Sequence, residues 1–257
     1  MKAIVLSAGQ GRRLLPLTEN QPKCALPVLG RSILEWQLQE IARCDVDEVV
    51  VVSGFGADRV DEIVQRDHGV PVRAVYNPFF AHSDNLGTCW AARNEMNGPF
   101  MIINGDTLFE AAIMKRLLAS SSPMAITLAT DTKSEYDPDD MKIVSRGNRL
   151  LRVGKQLELD AVNGESIGMM VFRGEGISRF SAMVDHLMRR GEGLNRWYLS
   201  AIDALAQEWN VTICPIQGLS WCEVDNRADL LRAEEVLESW AQNVASDEPV
   251  LVSKGAA

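Results

Sequence analysis

The chain has 257 residues, 46% hydrophobic and 24% charged, the size and balance of one ordinary globular domain with enough apolar residues for a substantial core. With 35 acidic against 26 basic residues the formal net charge is -9, which excludes the global cationic field that gathers DNA or RNA and favours a small ligand handled by a local basic loop. Five cysteines scattered without the close pairing of a zinc site, and odd in number, argue against a complete disulfide framework; the five-residue apolar run at the start is too short for a signal h-region and no stretch approaches the roughly 20 residues of a membrane span, so the expected location is the cytoplasm.

Ala3 to Leu6 is a short apolar run ended by Ser-Ala-Gly, the pattern of a buried parallel strand entering a glycine-rich turn. Ser32 to Arg43 carries a helical apolar stripe behind a Ser32 cap, and Val49 to Val52 repeats the strand pattern, giving a right-handed parallel crossover. The alternation continues with helices near Asp58 to Arg66, Leu86 to Met96 and Glu110 to Ala119, and strands near Val72 to Tyr76, Phe100 to Asn104 and Met124 to Ala129. The fold class expected is therefore α/β, a doubly wound, mostly parallel, Rossmann-like sheet. Asp131 to Gly164 is polar with short alternating pieces, a small antiparallel β excursion. A strand at Ile167 to Phe172, helices at Ile177 to Arg190 and Trp197 to Trp209, a strand at Val211 to Pro215 and a helix at Asn226 to Trp240 complete one domain over 1–240. Residues 1–130 form its first half, 131–240 its second half, and 241–257 a loosely held tail.

Gly9-Gln10-Gly11-Arg12-Arg13 stands where the first strand meets its crossover, the crevice in which open α/β sheets bind ligands. Backbone N–H groups in such a turn hold phosphate oxygens, and Arg12, Arg13 and Lys23 add formal charge suited to a triphosphate. The loop alone also fits a plain tight turn with solvated arginines. A dinucleotide fingerprint is missing its third glycine, at Leu14, and its acidic residue, at Val52-Ser53-Gly54; the Gly-Lys-Ser/Thr of a Walker loop is absent.

The longer string Leu6-Ser7-Ala8-Gly9-Gln10-Gly11-Arg12-Arg13-Leu14-Leu15-Pro16-Leu17-Thr18, followed by Pro22-Lys23, resembles the amino-terminal signature of the sugar-nucleotidyltransferase-like family, L-x-A-G-x-G-x-R-L-x-P-L-T and then P-K. The resemblance implies a nucleotidyltransferase fold in which the backbone of Leu6, Ala8, Gly9 and Gly11 approaches the nucleotide, Arg13 contacts the triphosphate and Lys23 bridges the reacting phosphates. Arg12 stands where many members have threonine or serine, as a second phosphate contact or an exposed side chain. Base contacts are expected from this loop and from Ser53-Gly54-Phe55-Gly56.

Ile102-Ile103-Asn104-Gly105-Asp106 ends an apolar strand in a carboxylate on the same sheet edge. By residue type Asp106 suits either a magnesium ligand or the cap of the next helix. The resemblance favours the metal and, through Trp221-Cys222-Glu223-Val224-Asp225-Asn226-Arg227-Ala228-Asp229-Leu230, similar to the family's W-x-E-I-D-T-x-x-D-L, it nominates Asp225 as the second ligand and Asp229 as a first-turn helix residue. The cofactor implied is magnesium. The chemistry implied is in-line attack by an acceptor phosphate on the α-phosphorus of an NTP, with loss of pyrophosphate and no need for a general base.

Glu135 to Lys155, Glu165-Ser166-Ile167-Gly168 and Arg196-Trp197-Tyr198 resemble the bacterial choline-phosphate cytidylyltransferase branch, implying CTP and a small phosphorylated acceptor such as phosphocholine as partners. A quaternary ammonium group needs aromatic faces and a nearby carboxylate. Trp197, Tyr198 and Glu223 are the acceptor candidates, with Trp221, Tyr136, Asp139 and Asp140 behind them; the aromatics fit a core equally, and Asp139 and Asp140 fit a solvated turn after Pro138. Asn85-Leu86-Gly87-Thr88 partly resembles the segment with which sugar-1-phosphate members hold base or sugar, so Asn85 is a nucleotide or acceptor contact. Lys155 and Lys142 are candidate phosphate contacts from the excursion. A sugar-1-phosphate nucleotidyltransferase is the near alternative; a nucleotide sensor is disfavoured by the joint presence of Arg13, Lys23, Asp106 and Asp225. Oligomeric state is not legible.

Overall fold

The computed structural model describes residues 1–120, 125–191 and 193–247. Its first half contains β1 (Lys2–Leu6), β2 (Pro27–Val28), β3 (Arg31–Ser32), α1 (Ile33–Ala42), β4 (Glu48–Ser53), α2 (Ala57–Val64), β5 (Val72–Tyr76), α3 (Asn85–Ala91), β6 (Phe100–Asn104), β7 (Thr107–Phe109) and α4 (Ala111–Ser120). The second half contains β8 (Ile126–Asp131), β9 (Lys142–Arg146), β10 (Arg149–Gly154), β11 (Gly164–Phe172), α5 (Glu175–Met188), α6 (Leu199–Glu208), β12 (Val211–Pro215), β13 (Trp221–Glu223) and α7 (Arg227–Asp247).

Side-chain alternation in the first strands decides the layering, because successive residues of a strand point to opposite faces. Ile4, Leu6, Val50, Val52, Phe100 and Ile102 face α3, α5 and α6, whereas Ala3, Val5, Val49, Val51, Met101 and Ile103 face α1, α2 and α4. Both faces are covered, so the strands read as continuous apolar runs. The sheet runs β5-β4-β1-β6-β11-β8-β12-β10-β9. Strands β5, β4, β1 and β6 are parallel, β11 is antiparallel to β6 and β8, and β9 and β10 are the antiparallel excursion. From β1 the chain winds first to β4 and β5, then returns to β6 on the other side; that reversal opens a crevice at the carboxyl ends of β1 and β6.

Ser32 starts α1 with a capping box, its hydroxyl accepting from the Glu35 N–H at 3.2 Å while Glu35 accepts from the Ser32 N–H at 2.8 Å. A third apolar cluster joins Leu14, Leu26, Val28 and Leu108 to Val224, Leu237 and Trp240, so α7 packs on the outer side of the glycine loop. The strand alternation and the excursion stand where the sequence places them, with shifts at the ends of several elements. Helix α3 stops at Ala91, with a 3-10 turn at Arg93–Glu95, rather than continuing to Met96. Strand β11 begins at Gly164, three residues before Ile167, because its start pairs with β9. Met124, expected to open a strand, falls outside the described residues. Helix α7 continues past Trp240 to Asp247, taking in part of the segment expected to be a loose tail; 248–257 fall outside the described residues.

Candidate active site

The glycine loop turns directly after β1. Gly11 has φ 76°, and a Cβ there would stand 2.8 Å from Lys23 Cβ, so a glycine is what allows Lys23 to close against the loop. The turn is fastened by Thr18 Oγ1 donating to the Gly11 carbonyl at 2.9 Å and by Gln10 Nε2 donating to the Thr18 carbonyl at 3.1 Å. Beneath it the Phe55 N–H donates to the Ala8 carbonyl at 3.0 Å, and a Cβ on Gly54 would stand 2.7 Å from that carbonyl oxygen.

Two backbone connections bring the aspartates together. Asp106 follows β6, and buried Gln37 of α1 donates to the carbonyls of Asn104 and Thr107 at 2.7 and 2.8 Å, fixing the turn that carries it. β7 and β13 pair antiparallel, and the Val224 N–H donates to the Asp106 carbonyl at 3.1 Å, which sets Asp225 beside Asp106. Between them stands Lys23, its Nζ 2.8 Å from Asp106 Oδ2 and 2.6 Å from Asp225 Oδ1. Arg13 Nη2 reaches the same Asp225 oxygen at 2.9 Å, while Nη1 reaches Asp139 Oδ2 at 2.9 Å; Asp139 Oδ1 in turn takes Lys155 Nζ at 3.2 Å. The result is one chain of alternating charge across the crevice: Lys155, Asp139, Arg13, Asp225, Lys23, Asp106.

Burial alone would lower the Lys23 pKa, but Asp106 and Asp225 raise it, so the ammonium keeps its proton. Burial would likewise raise Asp225; Lys23, Arg13 and Lys155 hold it below the usual carboxylate range. Glu223 is the opposite case: burial, then the carboxylates of Asp106 and Asp225, push it up to about 8. One oxygen of the pair, Asp106 Oδ1, is buried without a hydrogen-bond partner.

The crevice encloses about 360 Å³, within the range of small-ligand clefts. It is lined by Leu6, Ala8, Gly9, Gly11, Arg12, Arg13 and Lys23 of the first loop and its neighbours, together with Asn85, Asp106, Trp197 and Asp225. Asn85 Oδ1 accepts from the Tyr198 N–H at 2.8 Å, so it also positions the segment that presents Trp197. Trp197 is 42% exposed, with the Lys155 ammonium 4.6 Å from its ring centroid.

Several expectations need correction. Tyr198, expected at the acceptor, is fully buried in the core beneath α6, its hydroxyl donating to Asn104 Oδ1 at 3.2 Å; a ring enclosed on all sides offers no face to a ligand. Lys142 is 2% exposed, and its ammonium donates to the carbonyls of Asp137, Asp140 and Lys155, so it braces the excursion instead of meeting phosphate. Trp221 is held by its indole N–H donating to Asp131 Oδ2 at 2.7 Å. Gly54 supports the glycine loop from below, and Lys155 sits at the rim, lining a neighbouring cleft with Trp197. Phe80, Ser83, Asp84 and Asn104 line the crevice without having been singled out. The signal available was position: Asn77-Pro78-Phe79-Phe80 follows β5 on the same carboxyl edge as the glycine loop.

A family model described as the MobA-like NTP transferase domain matches residues 3–194. The chain belongs to that family. Among relatives of this transferase, the CMP-5'-(3-aminopropyl)phosphonate synthase of Streptomyces rubellomurinus is 28% identical across 91% of the chain, which spans only 38% of that protein's length. The choline-phosphate cytidylyltransferase of Streptococcus pneumoniae is 22% identical, covering 93% of the chain and 99% of the relative. The CTP:phosphoglutamine cytidylyltransferase of Campylobacter jejuni is 24% identical, covering 90% and 98%. In fold, the transferase matches the solved CTP:phosphocholine cytidylyltransferase of S. pneumoniae with a TM-score of 0.74 at 20% identity over 92% of the chain and 98% of that structure. It matches an inositol-1-phosphate CTP transferase from T. maritima with a TM-score of 0.79 at 21% identity, over 92% and 94%. It is thus a nucleotidyltransferase by family, on the doubly wound α/β fold expected. Among the described residues no helix is long and apolar enough to cross a membrane.

Proposed function

We propose that the chain transfers the cytidylyl group of CTP to a small phosphorylated acceptor bearing a cationic group, with phosphocholine as the model acceptor. An acceptor phosphate oxygen bonds to the α-phosphorus, the bond from that phosphorus to the oxygen bridging the β-phosphate breaks, and pyrophosphate leaves. The acceptor oxygen is already anionic near neutral pH, so the protein's task is to gather and neutralise anions. Arg13 turns from Asp139 to the triphosphate, and Lys23 from the aspartates to the reacting phosphates.

Asp106 and Asp225 would hold magnesium. The fit rests on their chemistry: two hard oxygen donors held together, one with a buried lone pair unused at Asp106 Oδ1, in a place where the Lys23 ammonium already serves as a cation. When bound, magnesium supplies charge neutralisation of the triphosphate and of the leaving pyrophosphate.

The observation that carries the acceptor reading is Trp197, which reaches the crevice with an ammonium already over its ring at 4.6 Å. The cytidine half is carried over from the relatives. The test is pyrophosphate release with magnesium, over CTP, UTP, GTP, dTTP and ATP against phosphocholine, phosphoethanolamine, aminoalkylphosphonates and sugar 1-phosphates. Turnover with CTP and a cationic acceptor is expected. Turnover only with a sugar 1-phosphate would overturn the acceptor reading, and silence throughout would overturn the enzyme reading. Trp197→Ala is expected to raise the acceptor KM by about 2- to 30-fold, the range of a partly desolvated cation–π contact, while the KM for CTP stays near native. An unchanged acceptor KM would remove Trp197 from the acceptor site.

A further inference from the structure

Asp139 differs from an ordinary surface carboxylate in what holds it. Its turn is closed on itself: Asp137 Oδ1 accepts from the backbone N–H groups of Asp139 and Asp140 at 2.8 and 3.2 Å, and Asp140 Oδ2 accepts from that of Asp137 at 2.7 Å. From beneath, the buried Lys142 ammonium donates to the carbonyls of Asp140 at 3.3 Å and Lys155 at 3.0 Å, and also to that of Asp137. Lys133 ties Asp140 to buried Glu165, at 2.6 and 3.2 Å. The turn and the strand end bearing Lys155 are therefore one braced unit, and the buried lysine that makes it so takes no part in the crevice.

This unit presents a single carboxylate to the two outermost cations of the charge chain. Asp139 Oδ2 accepts from Arg13 Nη1 at 2.9 Å and Oδ1 from Lys155 Nζ at 3.2 Å. The other terminal nitrogen of Arg13 is taken by Asp225. A triphosphate meeting Arg13 finds both terminal nitrogens of the guanidinium engaged by carboxylates.

We propose that Asp139 is a built-in competitor for the nucleotide: a braced counter-anion, tied also to Lys155, that occupies Arg13 in the free protein and is displaced from it when phosphate oxygens arrive. It rests on the reading that Arg13 meets the triphosphate. Removing the carboxylate should strengthen nucleotide binding, contrary to the usual effect of deleting a side chain at a binding site. The turn should survive the change, because its hydrogen bonds come from Asp137, Asp140 and Lys142.

The test is calorimetric titration of CTP with magnesium, without acceptor, into the native protein, Asp139→Asn, Asp139→Glu, Arg13→Ala and the double variant Arg13→Ala/Asp139→Asn. At low ionic strength Asp139→Asn should bind about two- to fivefold tighter, the scale of one exposed ion pair, and Asp139→Glu should resemble the native protein. The ratio should approach one at about 1 M salt, where charges are screened within about 3 Å, and the gain should vanish in the Arg13→Ala background. Equal or weaker binding by Asp139→Asn, with native melting behaviour, overturns the proposal, as does a gain that persists without Arg13. Should Arg13→Ala itself bind CTP like the native protein, the triphosphate reading of Arg13 fails and the competitor falls with it; weakened Arg13→Ala beside neutral Asp139→Asn sinks the competitor alone.

Discussion

Lys23→Ala should lower nucleotidyl transfer by about 10²–10³-fold, the usual loss when a fixed positive donor is removed from developing phosphate charge. Lys23 touches both Asp106 and Asp225 and is only 12% exposed, whereas Arg13, the other cation on Asp225, has no contact with Asp106. The same change should destabilise the ligand-free protein by about 2 kcal/mol, a figure reduced from that of a fully buried pair because the two carboxylates are 29% and 25% exposed. Two aspartates that have lost their shared cation accept another more readily. Magnesium should therefore raise the Tm of Lys23→Ala more than that of the native protein. Thermal melts with and without magnesium, beside a pyrophosphate-release assay, check both halves; native turnover would end the proposed role of Lys23.

Asp225→Asn should raise the magnesium concentration for half-maximal activity by at least about 100-fold, because it removes charge at constant shape from the carboxylate proposed to hold the ion. Asp225 is the junction of the charge chain, one oxygen accepting from both Arg13 and Lys23, so the substitution also frees Arg13 on one side. The neighbouring Asp229 provides the control. Its carboxylate accepts from the N–H groups of Asp225 and Asn226, both at 2.8 Å, while Asn226 Oδ1 accepts from the Ala228 N–H at 2.8 Å and the Asp229 N–H at 3.2 Å. That is a reciprocal cap at the start of α7, so Asp229→Asn should cost stability on the order of 1 kcal/mol and leave the magnesium midpoint near native. If Asp225→Asn keeps the native midpoint, Asp225 is no metal ligand.

Legibility in the sequence followed the range of each interaction. β1, β4 and β6 were readable because a strand covered on both faces must be apolar throughout, and α1 because its cap and stripe are local. The glycine loop, Asp106 and Asp225 were readable as motifs; their arrangement was not, since it depends on β7 and β13, three-residue strands too short to show any period. Tyr198 illustrates the limit of composition: beside Trp197 the two rings are alike in sequence, yet one is enclosed and the other 42% exposed, a difference set by the turn into α6. Phe80, Ser83 and Asp84 were missed because a loop without glycine or charge pattern advertises itself only by its place on the sheet edge. Lys142 reads as any polar lysine, and only the backbone carbonyls gathered around it make it internal.

The β7–β13 ribbon has a consequence for the order in which the molecule becomes competent. Asp106 emerges with the first half of the chain, but its partner carboxylate follows β13, after every strand of the sheet has been made. A chain ending before Trp221 would contain the glycine loop and Asp106 but lack both β13 and Asp225. The two carboxylates on either side of Lys23 are thus joined only when the carboxyl-terminal segment of the chain pairs with β7.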